Sequence, residues 1–80
     1  MTVPKIKPGG STKEQLLGPL DAAIDALEVA IEKLKKTAPN TNDYELGQVQ
    51  PASLGYFRRL YRLQAVQEEL TELWRAIAAQ

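Results

Sequence analysis

The sequence predicts an all-α protein, an antiparallel helical hairpin of two long helices that completes a bundle by oligomerisation. Three observations lead there. Apolar residues recur at spacings of three and four in two long stretches. A turn-rich, aperiodic stretch separates them, and the second carries more apolar surface than one partner helix can cover.

Composition sets the bounds. With 80 residues, 44% hydrophobic and 25% charged, the chain has the make-up of one ordinary globular domain. A core of this size supplies only about 3 to 5 kcal/mol on its own, so further support is expected. Disulfides cannot give it, because the chain has no Cys, and with no His either any metal would be held by oxygen alone. No cofactor is expected, and association with other chains is left as the source of support. Ten Lys and Arg balance ten Asp and Glu, which gives no general attraction for nucleic acid or an anionic membrane. No apolar run approaches the roughly 20 residues of a membrane span, and the N-terminus lacks the apolar core of a signal peptide. The expected location is therefore the cytoplasm or a soluble assembly.

Residues 1–10 hold Pro4, Pro8 and Gly9-Gly10 with two lysines, a composition that disfavours helix and predicts a flexible N-terminal arm. Residues 11–80 form the hairpin domain. Ser11 with Glu14, or Thr12 with Gln15, fits a capping box, so a short helical turn is expected at 12–17. Gly18-Pro19 then interrupts it, and Pro19 suits the first position of the main helix, about 19–36. Its seam is Leu17, Leu20, Ile24, Leu27, Ile31 and Leu34, an a/d heptad series, with Ala23 and Ala30 beside it. Asp21 and Asp25 near its start and Lys33, Lys35 and Lys36 near its end match the helix dipole, and Pro39-Asn40 ends it.

The loop, 38–51, is long for a helical hairpin. Tyr44, Leu46 and Val49 are its apolar anchors, and a single helical turn is expected around Asp43 to Leu46, capped by Thr41 or Asn42. The second helix, about 52–79, accepts Pro51 in its first turn or Ser53 as cap. Its seam reads Tyr56, Leu63, Val66, Leu70, Leu73 and Ile77, widened on one flank by Leu60 and Trp74. Phe57 and Tyr61 lie off this face near the loop end.

A hairpin of these helices leaves apolar surface uncovered. Each further buried aliphatic or aromatic side chain contributes about 1.5 to 3 kcal/mol, which favours a second layer from another copy. The expected self-association or partner interface is Leu20, Ile24, Leu27, Ile31 and Leu34 with Leu60, Leu63, Val66, Leu70, Leu73, Trp74 and Ile77. In a hairpin the loop end gathers Lys33, Lys35 and Lys36 near Arg58, Arg59 and Arg62. The open end gathers Asp21, Asp25 and Glu28 near Glu68, Glu69 and Glu72. Like charges thus meet within one subunit, and this polarity is expected to help set assembly geometry.

Other chemistry has weaker footing. Glu68 and Glu72 share a helix face one turn apart, a spacing able to hold Mg²⁺, and all-α nucleotide pyrophosphatases use acids from two helices in this way; Asp21 and Asp25 would supply the second. These acids fall at outward positions with no phosphate-binding loop nearby, so no metal site is expected. Tyr56, Phe57, Arg58, Arg59, Tyr61 and Arg62 form a basic-aromatic cluster suited to an acidic protein partner or to phosphate contact and base stacking. Zero net charge weighs against nucleic acid. Without Cys or His, and with Ser11 and Ser53 at cap positions, no catalytic nucleophile is expected.

The outline of arm, helix, Pro/Asn loop and C-terminal helix over residues 12–80 resembles several small assembly proteins, including type III secretion needle subunits, their small helical chaperones and some phage virion components. That resemblance and the apolar excess together imply a non-enzymatic structural or adaptor subunit that self-associates as a dimer or higher homo-oligomer. A small chaperone or regulator that captures a partner-protein helix is the rival reading, and an Mg-dependent pyrophosphatase a third.

Overall fold

The computed structural model describes residues 2–45 and 47–80, with the side chain of Thr41 excepted. Two helices pack against each other as an all-α hairpin, α1 (Lys13–Lys35) and α2 (Val49–Ala78), joined by a segment holding one 3₁₀ turn, Thr41–Asp43. Three contacts fix the antiparallel register. At the open end the Lys13 ammonium donates to the Ala78 carbonyl at 3.2 Å, and midway Gln67 Nε2 donates to Glu28 Oε2 at 2.7 Å. Near the loop Ile31 packs with Tyr56 and Leu60. The particle is a rod of 62 × 20 × 16 Å. Because α2 has 30 residues and α1 has 23, the first turns of α2 run on past the end of α1.

α1 is continuous, which corrects the expected break at Gly18-Pro19. Thr12 caps it with a complete box: its hydroxyl accepts from the Gln15 amide at 3.2 Å, and Gln15 Oε1 accepts from the Thr12 amide at 2.8 Å. Pro19 then stands inside the helix, where it leaves the Gln15 carbonyl without its helical donor and crowds it with the ring. Two features make this tolerable. Gly18 has no Cβ to meet the proline ring, and both residues face solvent, so water can serve the freed carbonyl. Downstream, the Thr37 amide and hydroxyl both donate to the Leu34 carbonyl, at 2.8 and 2.7 Å, and close the helix.

The loop's helical turn falls earlier than expected. Asn40 is its cap, with Oδ1 accepting from the Asn42 amide at 3.0 Å, because its backbone is extended, as a cap requires, and its short side chain reaches forward. Gly47, at φ 89°, follows, and the Gln48 amide donates to the Glu45 carbonyl at 3.0 Å. α2 starts at Val49 without a side-chain cap. Pro51 is its third residue, within the first turn where an amide hydrogen would have no helical partner. Ser53 is inside the helix and is not its cap. Leu46, expected as a loop anchor, lies outside the described residues. Tyr44 is 41% exposed and anchors little.

The N-terminal arm, expected to be flexible, folds back on the open end. Lys7-Pro8-Gly9-Gly10 makes a reverse turn, with the Gly10 amide donating to the Lys7 carbonyl at 3.1 Å and Gly9 at φ 82°. Proline followed by a residue of positive φ is the signature of a type II turn, and the second place needs glycine. The Gln80 carboxamide then acts as a surrogate peptide group. Its Oε1 accepts from the Ile6 amide at 2.8 Å and its Nε2 donates to the Pro4 carbonyl at 2.6 Å. Val3 and Ile6 are half-buried beside Ala76 and Gln80.

Two outcomes are expected. Pro19→Ala raises unfolding stability by about 1 to 3 kcal/mol in urea titration, and Gly18→Ala adds up to about 1 kcal/mol in that background but not beside the native proline. Gln80→Ala speeds amide exchange at Ile6 while exchange across Ile24–Leu34 holds steady.

Candidate functional site: the apolar flank of the hairpin

Among the described residues four apolar side chains are buried, namely Ile31, Tyr56, Leu60 and Ile77. The leucines of both seams are only half-buried. A pair of cylinders touching along one line explains this, since each seam residue has a partner on one side and open space on the other.

The two sides of that line differ. A helix advances about 100° per residue, which sorts α1 around Ile31 and α2 around Tyr56 and Trp74. The Gln67–Glu28 hydrogen bond identifies one side. There Asp21 and Glu28 of α1 meet Gln64, Gln67 and Thr71 of α2, and the Thr71 hydroxyl donates to the Gln67 carbonyl at 2.8 Å. The opposite side carries Leu16, Ala23, Leu27, Ala30 and Leu34 from α1 with Leu63, Val66, Leu70 and Leu73 from α2. From Leu63 to Leu73 this flank is apolar, with Arg59 standing on it at the loop end beside Leu34 and Arg62 along its edge. Val66 on it is 44% exposed, whereas Ile77 near the open end is 1% exposed.

The sequence-predicted interface is therefore divided. Ile31, Leu60 and Ile77 belong to the monomer's own core. Leu60 and Trp74, expected to widen the seam, face α1 directly, while Val66 and Leu73, expected in the seam, stand on the apolar flank. A strict seven-residue repeat and a straight helix diverge by about 20° per heptad, and over the length of α2 that drift exchanges centre and edge. Leu20, Ile24, Leu27, Leu34, Leu63 and Leu70 are half-buried in the groove between. Leu16 joins the flank without having been singled out; its spacing of seven from Ala23 was the available signal. Trp74 is half-buried, and among the described residues its Nε1 has no hydrogen-bond partner although it is shielded from solvent.

The basic-aromatic cluster is split as well. Tyr56 is in the core, edge-on to Phe57 with ring centroids 5.2 Å apart. Phe57 in turn stacks on Tyr61 at 6.0 Å, and both are open to solvent with Leu54, Arg58, Arg59 and Arg62. Glu68 and Glu72 line a shallow groove on α2 with Gln67, Thr71 and Arg75. Asp21 and Asp25 do not join them, and among the described residues no three acidic side chains gather as a metal site. The acids also lie mid-rod and not at the open end, which carries Lys13 and Arg75. Among the described residues charges pair within a helix, Lys35 with Glu32 at 3.9 Å, and not between helices. No helix among the described residues is long and apolar enough to cross a membrane.

No family model, curated protein or solved structure matches the chain.

The division between core and flank has a measurable consequence. Ile31→Ala costs about 2 to 5 kcal/mol in dilute protein, whereas Val66→Ala, on a side chain already in water, costs under about 1 kcal/mol. Urea unfolding at fixed low concentration makes the comparison, and equal losses would mean that Val66 is already covered.

Proposed function

We propose that this protein is a non-enzymatic structural or adaptor subunit whose hairpin self-associates through its apolar flank into a four-helix bundle. The observation that carries the reading is the asymmetry of the hairpin, with one flank polar and hydrogen-bonded and the other lined by Leu16, Ala23, Leu27, Ala30, Leu34, Val66 and Leu73. A chain that needed only to fold would gain nothing from that difference. Two copies placed flank to flank convert half-buried leucines into a closed core, at about 25 cal/mol for each Å² of apolar surface removed from water. Ala23 and Ala30 let the helices of the second layer approach closely, while the polar flank and the backs of both helices stay in solvent. Such a bundle is an assembly element. It does mechanical or organising work and transforms no substrate.

Sedimentation equilibrium tests the reading. The wild-type chain sediments as a dimer or larger species at micromolar concentration. Val66→Glu, which sets a carboxylate on the flank of each copy, weakens association at least about tenfold, or 1.4 kcal/mol. Val29→Glu, on the exposed back of α1, leaves it unchanged. A wild-type chain that stays monomeric at all concentrations would overturn self-association and turn the same flank toward a helix of another protein.

A further inference from the structure

The outer face of α2, turned away from α1 and bordering the apolar flank along Arg62 and Glu69, carries an order of residues that the fold does not use. From the loop end it reads Leu54, Arg58, Tyr61, Arg62, Ala65, Glu68, Glu69 and Glu72. All are exposed, Leu54 at 60% and Tyr61 at 62%. Among the described residues none of the charged members is in an ion pair. The order is antisymmetric in charge about Ala65, basic before it and acidic after. Arg62 and Glu68 lie three residues to either side of it, Tyr61 and Glu69 four, and Arg58 and Glu72 seven.

In two antiparallel helices, residues equally far from the crossing point on opposite sides stand level with each other. We propose that a second copy of this chain docks here, α2 antiparallel to α2, with the two-fold axis through Ala65. At 100° per residue, the members that are both near level and on the same edge of the interface are Arg58 with Glu72 of the other copy, Arg62 with its Glu69, and the Tyr61 hydroxyl with its Glu68, each contact occurring twice by symmetry. Ala65 meets its own equivalent, and its single methyl group lets the helices close to contact distance at the axis. The stacked Phe57 and Tyr61 rings, with Leu54, supply the apolar area that ion pairs alone lack. The parallel arrangement is disfavoured, since it would set Arg58 against Arg58 and Glu72 against Glu72. The acidic half also repels nucleic acid and anionic lipid, while a copy of the same strip complements both halves at once.

This inference rests on the self-association reading and deepens it. A subunit with two separate self-complementary faces builds past the dimer, into a closed dihedral tetramer or an open filament. The two faces differ in chemistry, one apolar and the other dominated by charge, and therefore in salt response.

Mass measured by light scattering across salt concentrations separates them. In about 10 mM salt the wild-type chain reaches at least twice the mass of the flank dimer, and near 1 M salt, where screening acts within about 3 Å, it returns to that dimer. R58E/R62E and E69R/E72R each remain dimers in low salt, and mixing the two, or joining all four changes in one chain, restores the larger species. Thiols introduced by Ala65→Cys cross-link copies in the low-salt species, whereas those introduced by Ala26→Cys, exposed on the back of α1, do not. A mass independent of salt would overturn the proposal, and so would a larger species that survives in either single-sign variant. A chain monomeric in high salt but dimeric in low salt, with the same charge-swap rescue, would uphold this face and sink the apolar-flank reading.

Discussion

Two helices in contact can enclose only the side chains that fall along one line, and every feature of this molecule answers to that constraint. Ile31, Tyr56 and Leu60 occupy the part of the line where large side chains interdigitate, with Leu34 and Leu63 packed against them. Elsewhere the seam leucines have a neighbour on one side and none on the other. No rearrangement of a hairpin removes the problem, because turning one helix to hide Val66 would expose Leu60. The remedy has to come from outside the pair, from other segments of the chain or from other chains.

The chain supplies its own remedy at the ends. At the open end Lys13 reaches the last carbonyls of α2, where a cation also complements the helix dipole. Gln80 holds the arm's backbone as a neighbouring strand would, and Ile77 beside it is the most deeply buried side chain among the described residues. At the loop end the overshooting turns of α2 set Tyr56 against Ile31. Between these closures the middle of the apolar flank has no cover from the described residues, and Val66 on it is 44% exposed. The uncovered length therefore lies mid-rod, where a flat second hairpin fits best and where loops would get in the way least.

The sequence made the helical class, the antiparallel pairing and the identity of most core residues legible, because period and turn chemistry are local signals. Which apolar residues are core and which are flank was not legible. That distinction turns on the rotation of each helix about its axis, which Tyr56 and Ile31 set together through a contact spanning the loop. Gly18-Pro19 reads locally as a stop, yet the capping box at Thr12 and the seam on either side outweigh the loss of one hydrogen bond at a solvated carbonyl. The arm's composition resists helix, and the side chain that meets its backbone, Gln80, is at the other end of the chain, out of reach of local signals. Tyr56, Phe57, Arg58, Arg59, Tyr61 and Arg62 read as one cluster in sequence, and helical rotation sent Tyr56 inward and the rest out.

Charge supplies the last step. A quarter of the residues are ionised, yet among the described residues the hairpin joins its helices through a glutamine and a lysine-to-carbonyl contact, and its ion pair lies within α1. Intramolecular stability therefore does not account for where the charges sit. Solubility alone would be served by mixing signs along the rod. On the outer face of α2 the signs are separated instead, basic toward the loop and acidic beyond Ala65, the smallest side chain of that face. A separated pattern on one copy is unsatisfied; laid against a reversed copy, it is satisfied throughout. In the proposed assembly the apolar flank would supply affinity that scales with area and has little directional preference, while the charge order would distinguish antiparallel from parallel neighbours and one register from the next. A small rod that carried only the first would aggregate without limit on geometry, and one that carried only the second would bind too weakly to persist.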